Sequence, residues 1–204
     1  MPAAYLVPAA DGYFNGWESI VGGTRAWEVT DDDPSQLGDG TTFFRIRDYL
    51  PLPSQVGRVS VRINQVGLSG VLPTSVGVVT TARTVAYSGL LPQNSTLEVG
   101  FCTYDGIIQV GASYQPTASY AWNTTAFATN PYTGTAWRRG ELAGLELYVQ
   151  NVFVPVPGNQ LHYPRVTQIY LQVGYEDARY GSRRGRIGDD DVRDSSIRGP
   201  GAIQ

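Results

Sequence analysis

Asn130-Pro131-Tyr132-Thr133-Gly134-Thr135-Ala136-Trp137, continuing through Arg138-Arg139-Gly140-Glu141-Leu142-Ala143-Gly144-Leu145 into Glu146-Leu147-Tyr148-Val149, is the stretch that decides the fold. Pro131 pushes Asn130 out of the helical region, and Gly134 can take the positive φ that ends a tight turn. Thr135 is then an acceptable N-cap. At about 100° per residue, Trp137, Leu142 and Leu145 fall within one arc wide enough for a buried face. The spacing predicts a short helix over residues 136–145, held to about two turns because Gly140 and Gly144 weaken it. Leu147 and Val149 alternate with Tyr148 and Gln150, which reads as a strand. The expectation is a helical turn crossing the end of a β-sandwich, with Trp137, Leu142 and Leu145 as its structural plug.

Composition agrees with that expectation. The chain has 204 residues, enough for one sizeable all-β domain with a real core. Its 24 glycines, 13 prolines and 13 tyrosines favour many short strands and turns over helices. The formal charge of −3 gives no electrostatic case for a nucleic-acid or anionic-membrane partner. All 15 basic residues are arginine. Met1-Pro2-Ala3-Ala4 lacks a charged n-region and an apolar h-region, so no secretory leader is expected at this end.

Working outward, the strand signals are frequent. Val59, Val61 and Ile63 alternate with Arg58, Ser60, Arg62 and Asn64, the pattern of a half-exposed antiparallel strand. A strand over residues 76–81 is expected to continue past a bend through residues 83–87. Asp105-Gly106 between two β-rich runs predicts a hairpin. Asn15-Gly16 predicts a hairpin-like reversal, with Trp17 and Trp27 beyond it as core residues. Residues 155–164 read as a proline-interrupted loop. Residues 165–175 close the domain, with Ile169, Leu171, Val173 and Tyr175 inward and Gln168, Tyr170 and Gln172 outward. The sandwich domain is therefore placed at residues 1–175.

Chemistry-bearing residues are sparse. Asp31, Asp32, Asp33 and Asp39 put four carboxylates within nine residues, which makes Asp31, Asp33 and Asp39 calcium candidates. Their spacing is not that of an EF-hand, and a solvated loop of turn-forming aspartates is the preferred reading, with no metal. Cys102 is the only cysteine, so no internal disulfide forms, and it reads as a small packing residue without a cationic neighbour. His162 is the only histidine and has no partner in sequence for a triad. Glu98, Glu141 and Glu146 could supply a glycosidase's paired carboxyls, but their spacing singles none out. No catalytic residue and no cofactor are assigned, and no enzyme activity is expected.

Composition shifts at Glu176. Residues 176–204 carry six arginines against six carboxylates with little apolar content, so they cannot build a core alone. They are read as an extended C-terminal arm. Arg179, Arg183, Arg184 and Arg186, then Asp189, Asp190, Asp191 and Arg193, are its candidate assembly residues, since arginine forks pair carboxylates bidentately.

Three pieces of the chain resemble a family of tailed-bacteriophage virion proteins. They are Asp11-Gly12 with Asn15-Gly16-Trp17, the Asp31-Asp32-Asp33-Pro34 to Asp39-Gly40-Thr41-Thr42 loop, and the Asn130 to Trp137 stretch with Leu142 to Val149. Arg165-Val166-Thr167-Gln168-Ile169-Tyr170-Leu171 completes the pattern. The resemblance spans about residues 10–176 and is most specific at Thr133-Gly134-Thr135-Ala136-Trp137. It implies a jelly-roll-like sandwich located in the virion, a capsid-decoration, neck or minor tail protein made in the host cytoplasm. Its partners would be other virion subunits and further copies of itself. It carries over no catalytic residue. The alternative function is a carbohydrate-binding module for host attachment, resting on the many tyrosines and tryptophans and on the use of such sandwiches in lectins.

Overall fold

Period-two runs of β-branched residues dominate the chain, and the structure turns nearly all of them into strands. In the computed structural model, residues 3–30, 41–46, 57–64, 72–86, 95–153 and 162–176 are described. The strands in chain order are β1 (Ala3–Leu6), β2 (Pro8–Asn15), β3 (Trp17–Val21), β4 (Phe43–Ile46), β5 (Gly57–Ile63) and β6 (Leu72–Ala86). Then follow β7 (Ser95–Thr103), β8 (Ile108–Tyr114), β9 (Ala121–Phe127), β10 (Leu145–Phe153) and β11 (His162–Glu176). All pair antiparallel. One sheet runs β3-β4-β11-β6-β9, with β1 also on β11, and the other runs β2-β5-β10-β7-β8.

The eight strands from β4 to β11 fall four to a sheet, 4-11-6-9 against 5-10-7-8. That is the strand order of a jelly roll, an all-β two-sheet sandwich. The inward residues of both sheets fill one core. Phe44, Val59, Val61, Val78, Leu97, Val99, Phe101, Leu147, Val149, Ile169, Leu171 and Val173 are all fully buried in it. Val59, Val61 and Ile63 face inward as their alternation predicts, and Asp105-Gly106 turns β7 into β8 with Gly106 at φ 86°. Trp17 and Trp27 pack against the core while half-buried.

Four expectations need correction. Residues 136–145 do not form a helix: they make successive turns, with the carbonyls of Arg138, Gly140 and Leu142 each accepting from the N–H three residues on. Gly140 and Gly144 lie at φ 78° and 90°, left-handed values that break any right-handed helix between them. Thr135 therefore caps nothing helical. Among the described residues the helical turn is a 3₁₀ turn, Trp27–Val29.

Asn15-Gly16 is not a hairpin. Residue 16 is where the chain leaves β2 of one sheet for β3 of the other, and its φ is not positive. Glycine is required there by proximity, since Gly16 N–H donates to Arg58 O at 2.6 Å and a Cβ would sit 2.6 Å from the same oxygen. The 155–164 loop ends early, because β11 begins at His162 and Pro164 lies opposite Thr84. Gln168 and Tyr170 leave the core side of β11 as predicted, yet both are buried rather than solvated. Thr81 Oγ1 donates to Gln168 Oε1 at 2.6 Å, and Tyr170 meets Tyr5 edge-on at 5.9 Å between ring centroids.

The three side chains read as a plug are placed without a helix. Trp137, Leu142 and Leu145 are buried in the core. Trp137 Nε1 donates to Phe127 O at 3.0 Å, and its ring meets Phe101 edge-on at 5.9 Å. Glycine-made turns deliver these side chains to the sandwich end as well as a helix would have.

Candidate functional site

The most concentrated chemistry among the described residues lies on the outer face of the β2-containing sheet. It begins with an irregularity in β2. Asp11 pairs Val61 and Asn15 pairs Val59, so residues 12–14 stand against the single residue Ser60 and leave the ladder as a bulge. The bulge folds over β5 and reaches β10. Gly12 lets it come that close, since a Cβ there would overlap the Glu146 carboxylate and Ser60 Oγ.

Glu146 is what the bulge covers. The alternation Leu145, Leu147, Val149 puts it on the face away from the core, where a glutamate would normally be solvated, but its side chain has no exposed surface. Its Oε2 accepts from Tyr13 N–H at 2.6 Å, Ser60 Oγ at 2.6 Å and Cys102 Sγ at 3.5 Å. Its Oε1 accepts from Arg62 Nε at 3.0 Å. Ser60 Oγ in turn accepts from Phe14 N–H at 3.0 Å. The Arg62 side chain is 47% exposed, so the ion pair itself is a weak tie; the buried N–H and O–H donors carry the carboxylate. Phe14 completes the cover edge-on against Tyr148, with ring centroids 5.6 Å apart.

Cys102 is the packing residue expected from sequence. Burial first, with the Glu146 carboxylate adding to it, pushes its thiol up to about 12, so it stays protonated and is no nucleophile at neutral pH. Burial likewise raises the Tyr148 phenol, whose hydroxyl donates to Gln150 Oε1.

A rim of exposed side chains flanks this buried centre. Tyr13, Tyr104 and Ile107 are 55%, 47% and 54% exposed. Tyr13 lies against Gly106, Arg62 stacks over the Tyr104 ring at 4.9 Å, and Tyr132 Oη donates to Ile107 O at 2.9 Å. The β7–β8 hairpin tip thus presents aromatic and apolar surface on a fixed frame. Trp122, 51% exposed, stands on β9 in the other sheet.

The three glutamates considered for hydrolysis are not brought together. Glu98 accepts from Gln150 Nε2, and Glu98 and Glu146 face residues four positions apart along the β7–β10 ladder, roughly 13 Å. That exceeds the separation a glycosidase pair uses. Glu141 accepts from Arg138 N–H at 2.8 Å, and hydrogen bonds from Asn130 and Arg138 hold its carboxyl below the usual range. It is a turn former.

Among the described residues no three His, Cys, Asp or Glu side chains gather to hold a metal ion. The calcium candidates Asp31, Asp33 and Asp39 lie outside the described residues, as do the arm residues Arg179, Arg183, Arg184, Arg186, Asp189, Asp190, Asp191 and Arg193. Sequence reasoning missed the Glu146 centre because its cover comes from a bulge more than a hundred positions away. Gly12 in a β-run was the available signal, since an interior glycine often marks a bulge or a close backbone approach. Comparison with models of known families and with curated proteins finds no match.

Proposed function

We propose that this protein is a structural accessory subunit of a tailed-phage particle, acting by protein–protein assembly on a capsid, neck or tail. The observation that carries the reading is the jelly-roll strand order, 4-11-6-9 over 5-10-7-8, an architecture used by viral capsid domains. The stretch with the most specific resemblance adds to it: residues 130–145 serve as a clamp, with Asn130 Oδ1 accepting from Tyr132 N–H at 2.9 Å and Trp137 seated in the core. Such residues maintain a shape, as an assembly subunit needs. The hairpin rim of Tyr13, Tyr104 and Ile107 offers rigid surface for a neighbour. Further copies of the chain and other virion subunits are the partners in this reading, and residues 176–204 are its assembly arm. Deleting residues 177–204 tests it: incorporation into particles falls while the isolated domain melts at nearly the same temperature. A truncated chain that unfolds would instead make the arm part of the fold.

A second reading, glycan binding for host attachment, draws on the exposed Tyr13 and Tyr104 beside Arg62. Aromatic faces with a neighbouring cation suit a sugar, and lectin domains also use this architecture. Titration with host-surface glycans against the intact protein and Tyr104→Ala separates the two, since only a glycan site gives saturable binding that the substitution abolishes.

A further inference from the structure

The β1-containing sheet carries an unusual rung on its outer face. Phe44, Val166 and Ala82 lie opposite one another on β4, β11 and β6 and belong to the core. The adjacent rung, one residue along, is Arg45, Arg165 and Arg83, which therefore points to the other face. Three arginines stand side by side across three neighbouring strands. Like charges directly opposite on a sheet repel. No carboxylate pairs with any of them among the described residues, where the ion pair is Arg62 with Glu146.

The row is built rather than loose. Arg165 stacks over the Phe43 ring at 4.5 Å and Arg83 over the Tyr120 ring at 4.6 Å. Stacking fixes the planes of these two guanidiniums and leaves their edges for a ligand. The Nε atoms of Arg45, Arg83 and Arg165 are all shielded from solvent without an acceptor, while the side chains remain partly exposed. Among the described residues, three such donors fall in one row across adjacent strands. Burial, then the charges of Arg45 and Arg83, lower the Arg165 guanidinium from its usual value, as mutual repulsion across the row requires.

We infer that Arg45, Arg165 and Arg83 form a binding site for a multivalent oxyanion of the phosphate class. Neighbouring strands are about 4.8 Å apart, so the row spans about 10 Å. A tetrahedral phosphate presents oxygens to two adjacent forks at once, and a diphosphate can engage all three. An acidic peptide fits less well, because consecutive aspartates on an extended chain point to opposite sides and those on one side recur only every 6–7 Å or so. The net charge of −3 disfavours a long polyanion such as nucleic acid.

Thermal melts of the full chain in inorganic pyrophosphate, against sodium chloride of equal ionic strength, test the site. The expected result is a saturable rise in Tm. Arg165→Met keeps the stem on Phe43 and removes the central charge; it should melt no lower than the parent in sodium chloride and need at least about tenfold more pyrophosphate for the same rise. Arg83→Met should weaken binding likewise and serves if Arg165→Met does not fold, while Arg138→Met, outside the row, should leave the response intact. No rise in the parent, or an equal rise in both row variants, overturns the site. Saturation by a triaspartate peptide in place of pyrophosphate overturns the phosphate assignment.

Discussion

At the scale of single residues, Glu146 shows how a polar group can hold a sandwich from outside its core. Four donors from β2, β5 and β7 converge on one carboxylate, so it ties three strands to β10. Glu146→Gln keeps the shape but cannot accept at both ends, and should cost about 2 kcal/mol by leaving a buried donor unmet. Gly12→Ala should destabilise too, because its Cβ would enter the carboxylate's place. Denaturant melts check both; an unchanged midpoint for either would mean the bulge is not fastened there. Cys102 makes a pH prediction. Its thiol rises from 9.0 to about 12 on folding, so above pH 9 the unfolded chain has released a proton that the folded chain keeps. The Cys102 contribution to stability is therefore undiminished below pH 9 and is lost as pH climbs toward 12. In Cys102→Ala the decline should begin nearer the ordinary tyrosine range, since Tyr114 is also pushed up to about 12 by burial. Superimposable pH profiles for the two proteins would contradict this.

At the scale of elements, the 130–145 segment separates what a sequence determines locally from what it does not. Trp137→Ala removes a buried indole and its bond to Phe127 O, and should cost about 3–5 kcal/mol in a thermal or denaturant melt. Gly140→Ala meets no neighbour within 4 Å yet must hold φ near 78°, so it should cost about 1 kcal/mol through the backbone alone. A larger loss at Gly140 than at Trp137 would reverse their assigned roles. The apolar spacing made the burial of Trp137, Leu142 and Leu145 legible, but the glycines were read as shortening a helix when in fact they break it. Spacing alone does not say whether one helix or several turns delivers the side chains. The strands were legible wherever one face meets the core, as at Val59, Val61 and Ile63. The second burial was not: Gln168, Tyr170, Ser60 and Glu146 all sit at outward positions yet are buried. Period-two alternation reports which side of a strand faces the core, and it is silent about a bulge folding over the other side. The three-arginine row was hidden for the same reason, because cross-strand register is a long-range property.

At the scale of the whole molecule, two outer faces differ in character. One sheet closes over a saturated carboxylate with an aromatic rim at its hairpin tip, and the other carries a row of three arginines whose Nε atoms have no acceptor among the described residues. In the proposed assembly role the first would serve as a docking rim and the second as an anion-binding face. The arm proposed at residues 176–204 would fit the same scheme, since its composition is polar and lacks a core of its own. The account stands or falls on location. Mass spectrometry of purified particles, from the host in which this chain is expressed, followed by imaging with the subunit located, addresses it most directly. The account predicts the chain in the particles at a repeated position, as a jelly roll in contact with neighbouring subunits. Particles that lack the chain, from a lysate that contains it, would contradict the structural role.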